Sequence, residues 1–199
     1  MKMFIALVVM IFFMYTVVSG QARFQGAGVV GLTASQIDGD DLLGFNKLGI
    51  SAGIKVKFDL KSRLAGNVEL LYSQRGSSTN LITRRDDHSI TDLNYFELPA
   101  YFSFSDWYIE KEDYYKMSAH LGLSYAALIS SSVQNTVYND ADFNQADISY
   151  LFGATFRFNQ KWALTARYTR AFNKLLKDDT LNNNFLLSYF WTVRMEYYF

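Results

Sequence analysis

The chain of 199 residues has no cysteine, a single proline and no net charge, its 19 Lys and Arg residues balancing 19 Asp and Glu. Each shortage removes a class of protein. Without cysteine there is no disulfide framework, no thiolate metal site and no lipid-modified N-terminal cysteine. A neutral chain lacks the broad positive field of a nucleic-acid binder, so no nucleic-acid partner is expected. Long apolar runs are also missing after Val18, because later hydrophobic stretches are broken every second or third residue by polar groups. None of that part can be a membrane helix, which needs about 20 apolar residues in a row.

What is present is an unusual distribution of apolar residues. Lys2 is followed by an apolar run from Met3 to Val18 and by the small residues of Ser19-Gly20-Gln21-Ala22. A charged start, an apolar middle and small residues at the end describe an export signal. The expectation is a signal peptide over residues 1–20, with cleavage as late as residue 22, and a barrel domain over 23–199. If the remaining chain is in a membrane it must be a closed barrel, because the bilayer offers no water to unpaired backbone groups.

The rest of the chain alternates. Tyr189, Trp191, Val193, Met195, Tyr197 and Phe199 share one face of the last strand, opposite Ser188, Phe190, Thr192, Arg194, Glu196 and Tyr198. Successive side chains on a strand point to opposite faces, so one face is apolar and the other mostly polar. Similar patterns occur over residues 48–58, 67–73, 95–104, 115–125, 148–158 and 162–169. A glycine-rich first strand near Phe24–Ala34 has ambiguous facing. These segments predict an all-β fold, an eight-stranded antiparallel transmembrane β-barrel preceded by a signal peptide. Pro99 removes a ladder donor, so a bulge or local irregularity is expected there.

Connection lengths alternate as well. Residues 35–46, 76–91, 129–145 and 173–183 are long and polar, whereas 59–64 and 159–161 are short and 105–113 is intermediate. Outer-membrane barrels have short periplasmic turns and longer outer loops, which puts both termini on the periplasmic side. A soluble lipocalin-like barrel would carry its apolar residues inside. Here Glu69, Glu97, Arg167 and Arg194 occupy the minority face, opposite a broad aromatic surface. Aromatics collect near strand ends, as interfacial girdles do. The ending with Tyr197 and Phe199 resembles the C-terminal signal read by the barrel-assembly machinery.

Several motifs resemble the PorT-like outer-membrane β-barrel family of Bacteroidota, a small barrel of OmpA-like type. They are the stretch from Gly28 to Asp40, the stretch from Gly44 to Gly53, Val68-Glu69-Leu70-Leu71-Tyr72-Ser73-Gln74-Arg75-Gly76 and Tyr95-Phe96-Glu97-Leu98-Pro99. The likeness covers most of the chain after the signal. It implies an integral outer-membrane protein. One branch of that family is associated with protein secretion.

Glu69, Glu97, Arg167 and Arg194, joined by Lys55 and Glu196, predict a mixed-charge network filling a narrow lumen. Counting from strand ends puts Glu97, Arg167 and Arg194 at similar heights, so Glu97 is expected to pair with the two arginines. His120 shares a face with Ser118 and Ser124, which raises the alternative of a lipid-modifying enzyme using that face. His88 stands beside Asp86 and Asp87 in a loop and reads as solvated. Further acidic clusters, Asp38 with Asp40 and Asp41, Asp140 with Asp142, and Asp178 with Asp179, lack the full spacing of a calcium loop. No cofactor or metal is expected. The leading expectation is a non-enzymatic envelope barrel working by loop-mediated binding, envelope stabilisation or assistance to secretion. Its expected contacts are outer-membrane lipid, lipopolysaccharide, the assembly machinery and a secretion or envelope protein. A pore is disfavoured by the strand count.

Overall fold

The computed structural model describes residues 24–38, 44–78, 90–134, 143–175 and 186–199. Its strands are β1 (Phe24–Asp38), β2 (Lys47–Lys61), β3 (Leu64–Ser78), β4 (Ile90–Ile109), β5 (Tyr114–Gln134), β6 (Ala146–Arg157), β7 (Trp162–Ala171) and β8 (Leu187–Tyr198). Each pairs antiparallel with its sequence neighbours, and β1 pairs with β8, so the sheet is a closed barrel of eight strands. Closure leaves no sheet edge, which is the condition for a β-structure to lie in lipid.

The alternation sorts the two faces. Leu121, Phe102 and Leu32 are 65%, 62% and 61% exposed, and similar residues from every strand cover the outer wall. Soluble monomers rarely expose a contiguous apolar patch above a few hundred Å². Here the patch is the whole circumference. The inward positions are dominated by polar and charged side chains, among them Ser51, Asn67, Thr165 and Thr192. The apolar surface therefore faces lipid, and the polar one fills the lumen.

The facing of β1, ambiguous in sequence, is resolved: Ala27, Val29, Thr33 and Ser35 are buried, while Val30 and Leu32 are exposed. Gly31 has the inward parity, and a Cβ there would come 2.6 Å from Arg194 Cγ. A close approach of that kind admits only glycine. Glycine at this inward position leaves room for the Arg194 side chain of neighbouring β8.

The strands outrun the apolar alternation at the loop end. β3 continues through Ser78, β4 begins at Ile90 and β5 reaches Gln134. Residues such as Ser130, Ser131 and Ser132 still pair with β4 although they carry no apolar stripe. Ladder hydrogen bonds persist beyond the membrane, where neither face needs to be apolar. At Pro99 there is no change of register: Val68 pairs with Ala100 and Leu71 with Glu97, with the ladder interrupted between them. The register shift lies instead between Asn94 and Tyr95, toward β5.

Short connections join strands at one end, here the turn end: 62–63, 110–113 and 158–161. The long connections lie at the other, the loop end. β1 begins and β8 finishes at the turn end. The expected signal at 1–20 and its cleavage site fall outside the described residues, as do His88 and all the acidic-cluster residues except Asp38. Asp38 accepts a hydrogen bond from Arg170 at 3.0 Å, in an exposed pair.

Candidate functional site: the barrel lumen

Eight charged side chains other than histidine are buried among the described residues. They are Lys55, Arg75, Arg167 and Arg194 against Glu69, Glu97, Asp147 and Glu196, equal in sign. A buried charge without a partner is costly, so this balance is what makes the interior tenable. The charges are arranged in three groups along the lumen.

The middle group is built on Glu69 of β3, only 1% exposed. Arg167 of β7 donates from Nη1 to Glu69 Oε2 at 2.9 Å and from Nη2 to Oε1 at 3.0 Å. Arg194 of β8 donates from the same two nitrogens at 2.9 and 3.3 Å. The Tyr101 hydroxyl donates to Oε1 at 2.5 Å, and its ring lies 4.6 Å from the Arg167 guanidinium. Two guanidinium forks thus share one carboxylate, the geometry in which arginine binds most strongly.

Toward the loop end, Arg75 Nη2 lies 2.5 Å from Glu97 Oε2 and Nη1 donates to Asp147 Oδ2 at 3.2 Å. Ser124 donates to Glu97 at 2.8 Å and Ser149 to Asp147 at 2.6 Å. The Arg75 guanidinium is flanked by the rings of Phe190 and Tyr95, at 4.1 and 4.9 Å. An apolar cap covers this end, made from Ile37, Leu93, Tyr95, Ala126, Phe143, Leu175 and Leu186. The chain there is held by Asn173, which donates to the Ala146 carbonyl and accepts from the Ile148 N–H, at 2.8 and 2.7 Å.

Toward the turn end, Lys55 donates to Glu196 Oε2 at 2.8 Å and to the Tyr198 hydroxyl at 3.1 Å. Thr165 donates to Glu196 Oε1 at 2.7 Å. Beyond this group the lumen opens into a cavity of about 640 Å³, lined at the turn between β2 and β3 by Lys61, Ser62 and Arg63.

The structure brings together Glu69, Arg167 and Arg194, and separately Lys55 and Glu196. It does not bring Glu97 to Arg167 or Arg194, contrary to the expectation; Glu97 pairs with Arg75. The reason is geometric. Strands in a barrel are tilted and staggered, so equal counts from strand ends are not equal heights. Arg75 and Asp147 were missed because the alternation stops at Ser73 on β3 and starts at Ile148 on β6. Parity would have found them: Arg75 follows Glu69, Leu71 and Ser73, and Asp147 precedes Ser149 and Leu151 on the same inward face.

His120 is buried with its ring 5.0 Å from that of Tyr101, and its Nε2 has no hydrogen-bond partner. No hydrogen bond joins it to Ser118 or Ser124; the Ser124 hydroxyl is committed to Glu97. No group of three or more metal-ligating residues occurs among the described residues. Tyr197 and Phe199 lie on the outer face, the first 4.8 Å from the Trp162 ring and the second 78% exposed.

The closed barrel and its lipid-facing wall agree with what known proteins show. In solved structures, the attachment invasion locus protein Ail of Yersinia pestis aligns at a TM-score of 0.52 and 14% identity, covering 89% of this chain and 99% of its own. Neisserial surface protein A aligns at 0.49 and 16%, covering 88% and 96%. At 14% identity, what Ail shares with this chain is the fold. A search of curated proteins found no match. Residues 19–177 match the family described as outer membrane protein beta-barrel domain, and the chain belongs to that family of integral outer-membrane barrels.

Proposed function

We propose that the protein is a non-enzymatic envelope barrel with both termini in the periplasm, a sealed lumen and a role carried out by its outer loops. The observation that carries this reading is the pairing of the buried charges: Glu69 alone ties β3 to β7 and β8 across the lumen. Side chains so committed to one another are scaffold rather than catalytic machinery. That leaves the loop surface and the turns for binding, envelope stabilisation or assistance to secretion.

The PorT-like motifs support a Bacteroidota-like envelope as the setting. Its contacts there are outer-membrane lipid and lipopolysaccharide around the wall, a secretion or envelope protein at the loops, and the assembly machinery through Tyr197 and Phe199. A tag inserted near Asp140 should be reachable by antibody on intact cells and one near Gln160 should not. Labelling in the reverse sense would invert the topology. Crosslinking from intact outer membranes, with and without loop 135–145, identifies the bound partner; unchanged adducts would remove the loops from the proposal.

The enzyme reading rests on His120. A nucleophile and base need hydrogen-bond contact, with a third group orienting the base. The His120 ring lies tilted against that of Tyr101, without a hydroxyl partner at Nε2. Replacing His120 with Ala is expected to leave lipid A unchanged by mass spectrometry. A shifted lipid A profile would restore catalysis.

A further inference from the structure

The cavity at the turn end is not needed to close the barrel. Its wall carries the cations Lys55, Lys57, Lys61, Arg63 and Arg157, against Asp59 and Asp113. Lys55 is neutralised by Glu196, Lys57 lies 2.8 Å from Asp59, and Arg63 lies 3.5 Å from Asp106 in an exposed pair. Among the described residues Arg157 makes neutral contacts: it donates to Gln25 at 2.8 Å and lies 3.9 Å from the Tyr198 ring. At the inner end stands His120, 4% exposed, with Nε2 unpartnered. The lining still carries more cations than carboxylates, and a concave site with an excess of one sign focuses its field and concentrates counter-ions. We propose that this cavity binds a compact polyanion, a small molecule with two or more phosphate or carboxylate groups.

The geometry sets the roles. Arg157 and Lys57 on opposite walls grip the anionic groups, and Lys61 and Arg63 at the mouth attract them. Arginine suits such oxygens because its fork can offer two parallel N–H donors. The rings of Tyr108, Tyr114 and Tyr115 line one side of the cavity and confine the ligand. The periplasmic address of the mouth rests on the proposed topology. The binding itself does not, so a reversed labelling pattern and a failure to bind are separate results.

The test uses the folded barrel in a maltoside detergent, which carries no phosphate, with pyrophosphate and citrate as calorimetric probes. One saturable site per barrel is expected for at least one probe. The double variant Lys57→Gln with Arg157→Gln should weaken it by at least about tenfold, since it removes two charge-assisted contacts. Lys116→Gln removes a charge that stands over Trp107 and Phe156 and does not line the cavity. It should change affinity by less than about twofold, as a distant screened charge does. A urea midpoint unchanged in the double variant shows that its barrel is intact. In nanodiscs, loss of pyrophosphate binding on adding anionic phospholipid would identify the polyanion as a lipid headgroup, and unaltered binding would identify it as soluble. Absence of saturable binding by either probe, or equal weakening by Lys116→Gln, would overturn the proposal.

Discussion

The two ends of the lumen are built on different principles. At the loop end Arg75 is bridged to two carboxylates, sandwiched by aromatic rings and covered by an apolar cap. At the turn end Lys55 and Glu196 form one ion pair, and below them the lumen opens into a cavity. Both ends have the same strands and the same inward parity. The difference lies in what the connections add. Long connections supply Phe143, Leu175 and Leu186, which fold over the mouth. Tight turns are too short to cover anything. A barrel of this kind is a cup, stoppered on one side and accessible from the other.

Glu69 is the floor of that cup, and its loss should have the largest effect. Glu69→Ala strands Arg167 and Arg194 in a buried site, and removing one partner of a buried pair typically costs about 3–5 kcal/mol. Urea unfolding in detergent should show a loss at least that large. A barrel as stable as the parent would mean that water screens the arginines and that the floor is not a seal.

Leu93→Ala probes the cap. Leu93 is 1% exposed within the apolar cluster at the loop end. Truncating a buried leucine usually costs about 2–5 kcal/mol. The same change at exposed Leu60, on the rim of the turn-end cavity, should cost little. Equal costs at the two positions would erase the contrast between the ends.

Glu97→Ala should rank next, at about 1–3 kcal/mol, because Arg75 retains Asp147 while losing a charged hydrogen-bond partner. Combining it with Asp147→Ala should exceed the sum of the single changes, since only the pair leaves Arg75 without a carboxylate. Strict additivity would show that the two carboxylates do not share the load. The smallest effect should come from Asp59→Asn at the turn end. That residue's ion pair with Lys57 is half-exposed, and such pairs contribute about 0–1 kcal/mol.

Parity along the strands was enough to read the closed eight-stranded fold and the inward direction of Glu69, Glu97, Arg167 and Arg194. It was not enough to read partners. Glu69 meets arginines from β7 and β8, and those meetings depend on tilt and stagger that no single strand encodes. Arg75 and Asp147 lie where the membrane no longer imposes an apolar outer face, so the alternation that marks a strand fades while its hydrogen bonding continues. The facing of β1 was illegible for another reason. One of its inward positions is glycine because Arg194 crosses above Gly31, and a glycine-rich strand carries little periodicity of its own.

The seal proposed for the lumen is charge pairing across it under an apolar cap, which would close the barrel to ions. Planar-bilayer recording of the purified protein tests it directly. No stable unitary current is expected from the parent protein at either polarity. A steady, reproducible conductance from the parent barrel would contradict it.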